Sequence, residues 1–175
     1  MNYRRIWLAG GTYFFTVTLL QRGNNALLTE HIAALRLAVS EVKTNYPFTI
    51  HAWVVLPDHL HCVLELPPND SNYALRWRLI KSAFSKKMVA DEPRSMVRQA
   101  RGERGIWQRR YWAHLITHDA DFANHVDYVH INPLKHGLVK AVAEWPHSTF
   151  HQHVKMGNYP LDWAGNSANL LLDLE

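Results

Sequence analysis

The sequence His59-Leu60-His61 lies inside a β-branched and apolar run. On an extended strand, residues two apart share a face with Cα atoms roughly 7 Å apart, so these two imidazoles can share one cation. Val55, Leu60, Cys62 and Leu64 supply apolar neighbours that would hold such a pair rigid and partly dry. Spacing alone does not decide the matter. With 12 histidines in 175 residues, about one His-x-His is expected by chance, and His151-Gln152-His153 is a second example. Further along, Tyr128 and Asn132 stand four apart ahead of Pro133. A helix there would put a phenol and an amide on one face, about one turn or roughly 6 Å apart. If that helix packs beside the histidines, the result is a nucleophile next to a three-ligand divalent site. The alternative is a half-buried core tyrosine and an asparagine at a helix end.

The elements that must position these residues can be read from their periodicity. Thr12 to Leu20 is β-branched and aromatic and predicts a strand. A helix is expected from about Thr29 as N-cap, with Ile32, Leu35, Val39 and Val42 repeating until Asn45 and Pro47. Phe48 to Leu56 and His59 to Leu66 predict two strands, joined into a hairpin through Pro57 and Asp58. A second helix is expected from Ser71 to Met88 on a stripe of Leu75, Leu79, Ile80 and Phe84, followed by a mobile loop over Val89 to Gly105. Ile106 to Ile116 predicts a fourth strand. Asp119 or Asp121 would then cap a third helix ending near Asn132, because a proline disfavours helical geometry at the residue before it.

This order suits an α+β fold of the ferredoxin-like βαββαβ plan. It is an antiparallel sheet with helices on one face, followed by the helix that carries Tyr128. The organisation expected is one domain over 1–140, with an aromatic-rich tail over 141–175 docked on it.

A content of 47% hydrophobic and 19% charged residues excludes wholesale disorder. One cysteine, Cys62, leaves neither a disulfide framework nor a multi-cysteine zinc site, which fits a reducing cytoplasm. The apolar run near the N-terminus is short and interrupted by Gly10 and Gly11, so no membrane partner is expected. Between Arg76 and Arg110 there are eleven Lys or Arg against three acids, a local excess of eight in a chain of net charge +4; the remainder therefore carries −4. Such a block nominates a polyanion partner, although a solvated helix face and loop would also account for it.

Five stretches carry a resemblance across nearly the whole chain, in matching order: HAWVVLPDHLHCVLELP (51–67), IWQRRYWAHLI (106–116), HVDYVHINPLKHGLV (125–139), WPHSTF (145–150) and YPLDWAG (159–165). They resemble the REP-associated tyrosine transposases of bacteria, relatives of the single-tyrosine HUH transposases. The resemblance implies a metal pair at His59 and His61, a catalytic Tyr128, and a third ligand at Asn132. Strand alternation adds Glu65, on the face of the histidines, as a reserve ligand. An amide oxygen is a weak ligand and suits Mg²⁺ or Mn²⁺. His130 is a competing imidazole. Ala113 departs from the acidic residue that often stands at its position in the family.

The function so implied is cleavage and rejoining of single-stranded DNA at REP/BIME hairpins through a 5′-phosphotyrosine, that is, DNA transposition or recombination. By resemblance the protein would be nucleoid-associated and monomeric, with a dimer left open. Arg76, Arg78, Lys81, Lys86, Lys87, Arg109 and Arg110 are the residues expected to track phosphates, and Trp77, Trp107, Tyr111 and Trp112 those that could stack bases or serve the core. Two other readings stay open: a non-catalytic binder of structured nucleic acid, and a metal-dependent hydrolase in which Tyr128 only positions substrate.

Overall fold

The computed structural model describes residues 7–163. The elements in chain order are β1 (Thr12–Thr18), α1 (Leu27–Glu30), α2 (Ile32–Asn45), β2 (Thr49–Val55), β3 (His59–Glu65), α3 (Tyr73–Lys86), α4 (Met96–Ala100), β4 (Trp112–Leu115), α5 (Asp119–Lys135), a 3₁₀ turn at Val142–Glu144, and α6 (Phe150–Lys155). The strands form one antiparallel sheet in the order β2-β3-β1-β4. This is the α+β plan that the alternation of patterns predicts.

Alternation along the strands divides the sheet into two faces. Tyr13, Phe15 and Val17 of β1 and Leu60, Cys62 and Leu64 of β3 pack against α2 and α3 in the main core. On the opposite face, Phe14, Ala52, Val54 and Val63 pack against Val126, Tyr128 and Val129 of α5. A period of two therefore sends His59 and His61 to the α5 face, while their neighbours Leu60 and Cys62 are buried under the other helices.

Local chemistry moves several expected boundaries. Thr29 does not cap α2; its hydroxyl donates to the Ala26 carbonyl within the short α1 turn, and His31 stands at the start of α2. The cap of α3 is Asn72, whose side chain accepts from the Leu75 N–H, and the deeply buried stripe of that helix is Tyr73, Trp77, Ile80 and Phe84, with Leu75 and Leu79 at its margin. Residues 89–105 are not an unanchored loop. They include α4, and Arg104 fixes them to the end of α3 by donating to Ser85 O (2.8 Å) and Val89 O (2.8 Å) and pairing with Glu92 (2.5 Å). The fourth strand is shorter than expected, its N-terminal half contributing only a bridge from Trp107 to Leu19.

The cap of α5 is His118, which accepts from the Asp121 N–H, and Asp119 and Asp121 occupy the first turn, where the helix dipole favours acids. At its other end α5 runs through Pro133 to Lys135. The stop is Gly137, at φ +67°, in a motif where Leu138 N donates to Pro133 O and Gly137 N to Leu134 O. Glycine takes this left-handed geometry without the Cβ clash that other residues meet.

Beyond α5, the described tail adds to the outer edge of β2. Val55 N donates to His147 O (2.9 Å), Thr149 N to Trp53 O (2.9 Å) and Trp145 Nε1 to Val55 O (3.0 Å). Phe150 and Val142 then pack with Ile131 on the outer side of α5. The last part of the YPLDWAG stretch, from residue 164, lies outside the described residues.

Candidate active site

Tyr128 of α5 and His61 of β3 meet edge to face, ring centroids 5.5 Å apart, both at 0% exposure. His59 is 4.9 Å from His61 and 5.1 Å from His136, centroid to centroid. One ligand nitrogen from each of His59, His61 and His136 lies within 4.8 Å of the others. His136 is the residue at which α5 stops, two turns beyond Tyr128, with Asn132 midway.

The ring orientations are set from outside the cluster. Asp58 Oδ1 lies 2.6 Å from His59 Nδ1. Burial pushes the Asp58 carboxyl up, but its hydrogen bond to His59 and the charges of His59 and Arg22 outweigh this and hold it below its ordinary value. A carboxylate only accepts, so His59 Nδ1 carries a proton, and Nε2 is the nitrogen left for the cluster. His61 Nδ1 pairs with the Thr16 hydroxyl at 2.8 Å. Burial holds His61 well below the usual histidine range, and the neighbouring His59, His136, Lys135 and Arg22 push the same way, so it is neutral at pH 7, the form that ligates metals.

Asn132 is fully buried and its Nδ2 folds back to donate to Tyr128 O (3.1 Å). Its Oδ1 has no hydrogen-bond partner among the described residues. A buried unsatisfied acceptor costs about 1–3 kcal/mol, and a cation would remove that cost. The neutral ring of His61, the imidazole of His59 with a carboxylate behind it, and this amide oxygen together fit a divalent ion. The Lys135 ammonium sits 5.0 Å from the centre of the Tyr128 ring.

The family model "Transposase IS200 like" matches residues 12–132 of this chain. The chain is 48% identical over 165 residues to the REP-associated tyrosine transposase of Escherichia coli K12, covering 94% of this chain and 92% of that protein. The chain belongs to the IS200-like transposases, in the REP-associated tyrosine branch. A putative REP-associated tyrosine transposase of Haemophilus influenzae is 46% identical over 166 residues, 94% of each chain. A solved REP-associated tyrosine transposase bound to a REP hairpin superposes with a TM-score of 0.81 at 46% identity, covering 95% of this chain and 92% of that one.

Within this transposase, the other expected site residues divide. Glu65 shares the histidine face, but it is four residues from His61, roughly 13 Å along the strand, and its carboxylate pairs with His51 (2.7 Å); it is not part of the cluster. His130 points to the tail, its Nε2 on the Thr149 hydroxyl (2.9 Å), and burial lowers its pKa to about 3. The second His-x-His is two pins: His151 and His153 each bond a backbone carbonyl, of Trp145 and His51. Ala113 is buried in the main core.

Of the residues expected at DNA, Arg76 is corrected. It is 2% exposed, pairs with Asp70 (2.8 Å) and donates to Tyr46 O, Pro47 O and Asn72 O. Trp107 is also corrected, at 6% exposure and packed on Phe84, and Trp77 is core. Arg78, Lys81, Lys86 and Arg109 line a groove of about 600 Å³ beside α3, Lys81 donating to Gln108 O, while Lys87 pairs with Glu41 at the surface. Arg110 and Trp112, the latter 45% exposed, line a second groove of about 370 Å³ with Thr16, Thr18 and Arg22. Because Thr16 also holds His61, this second groove adjoins the histidines.

Sequence reasoning missed His136, Lys135, Asp58 and Thr16. The signal for His136 was present: Tyr128, Asn132 and His136 continue one spacing of four, and Gly137 marks the stop. Treating Pro133 as the end of the helix hid it.

Proposed function

We propose that this chain cleaves and rejoins single-stranded DNA beside a REP-type hairpin, with Tyr128 as nucleophile. The observation that carries the reading is the contact of the Tyr128 ring with His61, inside the cluster of His59, His61 and His136. His59, His61 and either His136 or Asn132 would hold a divalent cation, and three imidazoles favour Mn²⁺ over Mg²⁺. Bound there, the cation would neutralise the scissile phosphate and stabilise the departing 3′ oxygen.

The chain's own residues supply the rest. Tyr128, as its phenolate after losing its proton to solvent, forms a bond to phosphorus while the bond to the 3′ oxygen breaks, and that oxygen takes a proton from water, leaving a 5′-phosphotyrosine and a 3′-OH. The Lys135 ammonium stabilises the negative charge on the phenol. One phosphoester replaces another, so the 3′-OH of a second end reverses the step without a nucleotide cofactor. Arg22, Arg110 and Trp112 would hold the single strand in the groove beside the histidines, Trp112 by stacking and the arginines by charge. The hairpin itself is inferred from the solved relative bound to one.

A denaturing gel with labelled single-stranded REP hairpins and Mn²⁺ tests this. A protein-linked DNA band is expected from the natural sequence, and none from Tyr128→Phe or His61→Ala. Intact DNA with binding retained would support the non-catalytic binder, and cut DNA without attachment the hydrolase.

A further inference from the structure

A second cluster of ligating groups lies on the same helix, away from the histidines described above. His114 of β4 and Asp121 and His125 of α5 each offer one ligand atom within 4.8 Å of the others. Asp121 Oδ2 is 2.9 Å from His114 Nε2, and Asp121 Oδ1 is 2.9 Å from His125 Nδ1. The two imidazoles stack with centroids 4.6 Å apart and planes 18° from parallel. Phe14 stands between this cluster and the other one, 4.8 Å from His125 and 5.7 Å from His61.

We propose that His114, Asp121 and His125 form a second metal site, selective for a late first-row divalent ion such as Zn²⁺, which ties β4 to the helix carrying Tyr128. Asp121 and His125 are four apart on one helical face, a spacing that lets a carboxylate and an imidazole reach one ion. His114 completes the set from the neighbouring strand. Ligands at about 2.1 Å with tetrahedral angles lie roughly 3.4 Å apart, so the two separations from Asp121 need to open by about half an ångström, and the two imidazole nitrogens, which lie within 4.8 Å of each other, need to settle at the same spacing. His114 is 39% exposed at its side chain and Asp121 15%, which leaves an opening for a water as fourth ligand.

The protonation states suit this. Burial pushes the Asp121 carboxyl up, but the His114 hydrogen bond, the Thr117 N–H and the histidine charges hold it below its ordinary value, so it is ionised. Burial lowers His125, which the Asp121 carbonyl and carboxylate only partly reverse, so its ring is neutral at pH 7. An ion at His114 Nε2 and His125 Nδ1 takes the lone pair of each atom, so each neutral ring holds its single proton on the other nitrogen; for His125, whose Nδ1 faces the Asp121 carbonyl at 2.8 Å, this is a shift of tautomer. Two imidazoles and one carboxylate, without an amide oxygen, discriminate against Mg²⁺.

Co²⁺ added to the metal-free full-length protein, read by visible absorption and by ultrafiltration stoichiometry, tests the proposal. Two ions are expected for the natural sequence, one for His59→Ala/His61→Ala, one for His114→Gln, and none when all three changes are combined. In the His59→Ala/His61→Ala protein, Zn²⁺ at a hundredfold excess over its dissociation constant should raise the unfolding midpoint by roughly 5–10 °C, and Asp121→Asn should abolish that shift. Absence of any ion from a folded His59→Ala/His61→Ala protein, or the same stoichiometry before and after His114→Gln, would overturn the proposal. His114→Gln lies on an edge strand and is partly exposed, so this second comparison stands even if the double variant does not fold.

Discussion

Asp58 touches no substrate in the proposed reaction, yet it fixes which nitrogen of His59 faces the cluster. Asp58→Asn keeps the shape and loses the charge, and its amide can present an N–H where the carboxylate presented a lone pair. A fall of about 10–100-fold in Mn²⁺ affinity is expected, measured by calorimetry on the metal-free protein, with little change in fold. Equal affinity in both proteins would mean that His59 is oriented by packing alone. The histidine pair and the tyrosine were legible as residue types, because strand alternation and helical spacing are local properties. Asp58, Thr16 and Lys135 were not, because their roles depend on which rings they face after the sheet and α5 have packed.

At the scale of an element, α5 carries most of the chemistry, and where it ends decides what it carries. A proline is a weak stop near a C-terminus, since it removes one N–H from a turn that is already fraying, whereas Gly137 at positive φ is a strong one. Gly137→Ala is expected to cost roughly 1–2 kcal/mol in urea unfolding. If His136 is a ligand, metal affinity should fall as well, because its backbone is set by the same motif. Metal binding that survives both Gly137→Ala and His136→Ala would leave Asn132 as the third ligand. The same limit explains Arg76 and Trp107: a basic helix pattern announces charge, but it does not say that Arg76 turns inward to hold the carbonyls of Tyr46 and Pro47.

For the whole molecule, two readings separate surface charge from buried charge. Arg76→Ala should destabilise by about 1–3 kcal/mol by leaving the carbonyls of Tyr46, Pro47 and Asn72 without their donor, while leaving the salt dependence of DNA binding unchanged. Arg78→Ala should do the reverse, lowering the slope of log affinity against log salt by about one. The buried histidines set the acid limit. His61, His125 and His130 are all held below their ordinary value near 6.5, so below that pH the unfolded chain binds protons that the folded chain does not. Their contribution is complete above about pH 6.5 and is lost as pH falls toward the folded values, at about 1.4 kcal/mol per proton per pH unit. Urea midpoints should drop steadily from pH 7 to pH 5, before carboxylates begin to titrate; a flat profile would show that these rings are hydrated.

The fold class and the order of elements along the chain were readable because each element repeats at its own period. The anchoring of residues 89–105 was not, because it rests on one arginine reaching several carbonyls far away in sequence. α5 lies across β2 and β3, and towards Thr16, Thr18 and Trp112 the same face of β1 and β4 opens into the groove beside the histidines. Two strands span a shelf about 10 Å wide, walled by the nucleophile helix on one side and open on the other. Such a ledge has the breadth of one nucleotide chain lying flat.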